Sequence, residues 1–142
     1  IRNELGMSIY QLDRPMADHD LGFAGFGDYW RRCVRTGATY AEIAARCRRS
    51  ADPMWQRECV NNVAWAAAYL VAVVLLVVGC AWIRWAVAAA AGLVLVRKAI
   101  QTARRGHAIA VASVYALHTY FAKLPLAFGE FRWLLAQARR KR

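Results

Sequence analysis

Two groups of side chains in this sequence are of types and spacings that could do chemistry. The first is Asp18-His19-Asp20. A neutral imidazole beside carboxylates is a reasonable ligand for Mn2+ and less so for Mg2+, which prefers oxygen. The same residues also suit a turn, with His19 closing it and Asp20 N-capping the helix that follows. The second group is Trp30-Arg31-Arg32 with Arg35 close behind. Arginine presents a planar fork of donors that matches phosphate. Lipid headgroups carry the same phosphate, so the spacing alone leaves the ligand open. The cysteines at 33, 47, 59 and 80 are too far apart for a zinc knuckle or a C-x-x-C pair, and read as free thiols.

These groups stand in an unusual background. The 142 residues are 59 % hydrophobic, yet the formal charge is +11. A soluble nucleic-acid binder or a disordered basic tail would not carry that much apolar weight. The charge is also unevenly placed. Residues 1–60 hold nine basic and eight acidic groups, whereas 61–142 hold eleven basic groups and one acid, Glu130. The pattern is that of a membrane protein with basic flanks, and no nucleic-acid partner is expected. The chain opens on Ile1 without a basic segment and apolar run, so no signal peptide is expected there.

Residues 63–83 contain no charge and are long enough, at about 1.5 Å per residue, to cross a bilayer as a helix. Arg84 follows, flanked by Trp82 and Trp85, and then a second apolar run, 85–96, closed by Arg97-Lys98. Those 12 residues alone are too short to cross, but sharing Gly79-Cys80-Ala81-Trp82 with the turn allows a tight transmembrane hairpin; with Arg84 snorkelling on the outside and both ends cytoplasmic it satisfies the positive-inside rule. One long crossing followed by an interfacial helix is the rival. Residues 107–121 are apolar, interrupted next by Lys123 and Pro125, and followed by 126–135 and a basic end. That pattern suits an interfacial or re-entrant helix, with a third span broken at Pro125 as its rival.

The first sixty residues read differently. Residues 8–12 alternate like a short strand. Phe23, Phe26, Trp30, Cys33 and Val34 then mark one helical face, with a break or bend at Gly37. A second helix is expected from Tyr40 to about Arg49, and Asp52-Pro53 as the start of a third. Such helices suit a membrane surface, or packing against another domain. The expected fold class is therefore mainly α and membrane-associated. It comprises a short strand and turn (1–22), amphipathic interface helices (23–61), a transmembrane helical hairpin (62–98) and a C-terminal interfacial helix with a basic tail (99–142).

Several features occur together in order: Pro-Met-x-x-His-Asp at 15–20, Tyr-Trp-Arg-Arg-x-x-Arg-x-Gly at 29–37, Tyr-Ala-Glu at 40–42, and Trp55, Glu58 and Asn61 before the apolar run. With the tail at 115–135, this series resembles the region after the catalytic domain in bacterial membrane-bound family 2 glycosyltransferases. The resemblance covers roughly residues 5–135. It implies a nucleotide-sugar-dependent transferase with a GT-A catalytic domain, acting on a glycan or lipid acceptor at the cytoplasmic face of the inner (plasma) membrane. It implies a divalent cation, Mn2+ or Mg2+, with His19 completing its shell. It implies that Trp30, Arg31, Arg32 and Arg35 lie beside the donor diphosphate, where positive charge or a metal stabilises the leaving group.

The chain has no Gly-rich phosphate loop and no upstream nucleotide-binding sheet, and the family's Glu-Asp base motif is absent; Glu4 and Asp13 do not match it. Asp18-x-Asp20 has too few residues before it to be the nucleotide motif. The resemblance therefore implies the C-terminal, membrane-anchoring part of such an enzyme, inactive alone. The alternative is a small non-enzymatic membrane scaffold or accessory subunit.

Overall fold

The computed structural model describes residues 25–50 and 53–140. Helix accounts for 86 % of the described residues and no strand is present among them, so the fold class is mainly α. The strand expected at 8–12 and the His19 turn lie outside the described residues.

Helix α1 spans Phe26–Arg46. Asp28 in its first turn and Arg46 in its last complement the helix dipole. Ion pairs at 2.5 Å join Arg31 to Asp28 and Arg46 to Glu42. Both are exposed and contribute little. The expected break at Gly37 does not occur. The helix runs straight through, and the separate helix expected from Tyr40 to Arg49 is simply its second half, ending at Arg46. Gly37 is needed for space. A β-carbon there would lie 2.7 Å from the carbonyl carbon of Leu126, and closer still to its oxygen.

Helix α2 spans Gln56–Val78. It starts after Trp55, whose left-handed backbone (φ 63°) turns the chain, while Pro53 stays outside the helix. Trp55 is held there by stacking on Tyr40, with ring centroids 4.3 Å apart and planes 10° apart. The helix is long and apolar enough to cross a membrane, with a mean hydropathy of 2.0 over its best 18 residues. Its apolar side chains face outward: Leu70 is 69 % exposed and Val78 74 %.

A turn at Gly79-Cys80 leads to α3, Ala81–Ala103. The turn falls among the residues expected to be shared with it, 79–82, and divides the uncharged run 63–83 between two helices. Gly79 is tightly enclosed: an added β-carbon would lie 2.9 Å from the Ile83 side chain. Arg84 folds back over this turn, donating from Nε to the Gly79 carbonyl (3.0 Å) and from Nη2 to Val77 (3.3 Å). Carbonyls left open at the end of α2 are satisfied in this way. Helix α3 also continues through Arg97-Lys98, past the expected end of the second apolar run.

Helices α4, Ile109–Phe121, and α5, Lys123–Arg140, complete the chain. Ala112 and Ala116 are fully buried on α4, which packs against α3. The interruption expected at Lys123 and Pro125 falls instead at Ala122. Pro125 is accommodated in the first turn of α5, where no amide hydrogen is required. The closest packing joins α1 to α5. Val34, Gly37 and Ala41 of α1 face Pro125, Ala127 and Gly129 of α5, all of them buried.

Candidate functional site

The α1–α5 crossing brings the aromatic-basic group to a defined place. Trp30, Arg31, Val34 and Arg35 of α1 and Phe128 and Arg132 of α5 line a cavity of about 270 Å3. The spacing 31, 35 puts two guanidiniums on one helical face, and Phe128 and Arg132 are likewise one turn apart. The Arg132 guanidinium carbon lies 6.0 Å from the centre of the Phe128 ring. The floor is aromatic and aliphatic and the rim cationic, an arrangement able to hold a phosphate against an apolar group. Of the expected group, Trp30, Arg31 and Arg35 come together. Arg32 is exposed and does not line the cavity. Arg132 was not expected. Nothing in its own neighbourhood marks it; only the matching of Gly37 with Leu126, and of Gly129 with Val34, brings it beside Arg31.

Behind this cavity Phe121 meets Phe26, Tyr29 and Trp30, with ring centroids 5.7–6.4 Å apart. The Tyr29 hydroxyl shares a 3.0 Å hydrogen bond with His118 Nδ1. Burial, then the neighbouring Cys33, pushes the Tyr29 phenol above its ordinary range, so the hydroxyl keeps its proton.

A second polar group lies where α5 meets α2. Asn62 Nδ2 donates to Glu130 Oε1 at 2.7 Å, and Lys123 Nζ donates to Asn62 Oδ1 at 2.8 Å. Asn62 is 1 % exposed and Glu130 2 %. Glu130 Oε2 has no hydrogen-bond partner among the described residues, and Cys59 adjoins the carboxyl. Burial raises the Glu130 carboxyl above the usual carboxylate range, against the lowering pull of Asn62, Cys59 and Lys123. Burial also lowers the Lys123 ammonium, while Glu130 and Glu58 oppose the shift. The one sequence signal for this group is that Glu130 is the sole acid after residue 60.

The described residues bring together no set of three His, Cys, Asp or Glu side chains able to hold a metal. His19 lies outside them. The divalent cation implied by the sequence resemblance therefore finds no ligand set in the described residues. All four cysteines are free, Cys80 exposed and the others half-buried. No family model, curated protein or solved structure matches the chain.

Proposed function

We propose that this chain is the membrane-anchoring part of a bacterial nucleotide-sugar-dependent glycosyltransferase, working at the cytoplasmic face of the inner membrane in polysaccharide or glycolipid synthesis. The observation that carries the anchoring half is α2. Burying apolar surface releases about 25 cal/mol per Å2, yet only 6 % of its most apolar window is buried within the protein. Lipid is the covering that fits a charge-free run of that length. In this reading α2 and α3 form the hairpin, Arg84 lies on the outer side, and α1 and α5 lie at the cytoplasmic surface.

The transferase half rests on the ordered motifs at 15–62 and 115–135. The cavity of Trp30, Arg31, Arg35 and Arg132 is compatible with it, since a donor diphosphate needs converging cations. The donor's sugar and nucleotide and the glycan or lipid acceptor would be held mainly by the catalytic domain.

Two measurements test the halves separately. For topology, an Arg84→Cys variant lacking the native cysteines is expected to react with an impermeant thiol reagent in intact cells. Reaction only after permeabilisation overturns the hairpin. For the enzyme, antibodies to residues 138–142 are expected to detect a native membrane polypeptide well above 16 kDa that turns over a nucleotide sugar. Replacing Arg35 by alanine in it is expected to lower turnover while leaving insertion intact. A 16 kDa band without such turnover would make the chain a free-standing membrane scaffold or accessory subunit.

A further inference from the structure

Helices α2, α3 and α4 leave between them a cavity of about 620 Å3, walled by side chains such as Trp65, Tyr69, Ala72, Val87, Val94 and Tyr120. No charged side chain lines it. Its volume falls in the range of sites that enclose a substantial ligand. The walls are braced: the Tyr69 hydroxyl donates to the Tyr120 carbonyl at 2.8 Å, and the Trp65 and Tyr120 rings meet edge-on at 4.7 Å.

Two lysines stand beside this apolar space. Lys98 follows the wall residue Val94 by one turn of α3, and its ammonium lies 5.6 Å from the centre of the Tyr115 ring. Lys123 precedes Leu124, which also lines the cavity. Both lysines are half-buried, and their charges repel one another. Neither is in an ion pair among the described residues. Glu130 and Glu58 act on Lys123 from a distance, but Glu130 spends one oxygen on Asn62. The surroundings therefore hold an apolar slot with two ammonium groups beside it, neither paired directly with a carboxylate and Lys123 bonded to Asn62.

We propose that this slot holds an acyl chain of an anionic phospholipid, whose phosphate is bound between Lys98 and Lys123. The proposal rests on the membrane placement of α2 and α3 given above. The phosphate oxygens would give Lys98 a direct anionic partner and Lys123 an acceptor besides Asn62, and ammonium groups near a membrane surface favour anionic lipid. The proposal assigns no acceptor role to the lipid, which is a resident of the bilayer.

The test is native mass spectrometry of the full chain, reconstituted in vesicles of equal phosphatidylcholine and phosphatidylglycerol and released gently. Flotation with the vesicles comes first, because failure to float defeats the membrane reading itself. For protein that floats, a single retained phosphatidylglycerol is expected, enriched about tenfold over phosphatidylcholine. Lys98→Gln is expected to reduce that enrichment severalfold with the fold intact, and Lys98→Gln with Lys123→Gln to abolish it. Val87→Trp, which fills the slot and leaves both lysines, is expected to remove the retained lipid. Equal retention of both lipids, retention unaffected by Val87→Trp, or a dimer in place of a lipid-bearing monomer would each overturn the proposal. Circular dichroism of every variant separates loss of lipid from loss of fold.

Discussion

Replacing Gly129 by alanine puts the α1–α5 crossing under direct test. The added β-carbon would stand 2.9 Å from the Val34 carbonyl carbon and 3.0 Å from the Ala38 nitrogen, and closer still to the Val34 oxygen. All three are backbone atoms, so no rotamer change relieves the clash. Restoring ordinary contact to the carbon alone parts the helices by about half an ångström, a gap that forfeits about a quarter of each dispersion well it opens. Overpacking of this kind costs about 1–3 kcal/mol. Alanine returns about 0.8–1.0 kcal/mol through its better helix propensity. The expected net loss is up to about 2 kcal/mol, or up to roughly 8 °C in Tm for a chain of this size. Gly92 supplies the control. It lies inside α3 with nothing within 4 Å of an added β-carbon, so Gly92→Ala is expected to keep the propensity gain and raise Tm. The assay is thermal unfolding in detergent micelles followed by circular dichroism. Gly37→Ala is expected to behave like Gly129→Ala. The double variant should lose less than the sum, because one separation of the helices relieves both clashes. Equal melting temperatures for Gly129→Ala and Gly92→Ala would refute the close crossing.

Glu130 makes stability depend on pH. Its folded carboxyl lies above the ordinary range, so its protonated form favours the fold, and stability is lost as pH rises from the ordinary carboxylate range through the raised value. Lys123 acts in the opposite direction at alkaline pH: its lowered value means that stability is regained as pH climbs toward 10.5. Glu130→Gln is expected to remove the acid-side slope in melts across pH; an unchanged slope would place the titration elsewhere. Asn62→Leu keeps α2 apolar but strands Lys123 and Glu130, and is expected to cost about 1–3 kcal/mol. It should also lower the yield of a disulfide between Arg35→Cys and Arg132→Cys, whereas an unaltered yield would mean that the glycine crossing alone positions Arg132. Trp55→Gly relieves about 1 kcal/mol of left-handed strain but gives up the Tyr40 stack and the ring's burial. A lower Tm is expected, and a higher one would show that the stack contributes nothing.

What the sequence made legible was periodicity and apolar length. The face through Phe26, Trp30 and Val34, the uncharged run from 63 and the change of character near Ala122 all follow from local spacing. What it did not make legible depended on contact between distant residues. Gly37 reads as a breaker along the chain because glycine weakens a helix by about 1 kcal/mol. Only the backbone of Leu126, far along the sequence, shows why glycine is required there. Arg84 reads as an outward charge between two tryptophans, yet its side chain donates to the carbonyls of the preceding turn. The grouping Trp30, Arg31, Arg32 and Arg35 was half legible. Helical spacing separates Arg32 from Arg31 and Arg35, but nothing local brings in Arg132.

The polar junction also fixes how α5 sits on its neighbours. A buried carboxyl and amide stabilise a fold less than apolar residues of the same shape would, because both must be desolvated. Their value lies in specifying one arrangement. Glu130 follows Gly129, so the residue that sets the distance from α5 to α1 is joined to the one that fixes α5 to Asn62 of α2. Asn62 in turn lies just before the apolar run of α2. Sliding α5 by one residue along either neighbour would press a side chain into Val34 or leave Asn62 without its acceptor. The three helices are therefore locked in one register. The height of Arg31, Arg35 and Arg132 relative to the apolar part of α2 is fixed by that lock. Held this way, the rim keeps a constant distance from the apolar part of α2.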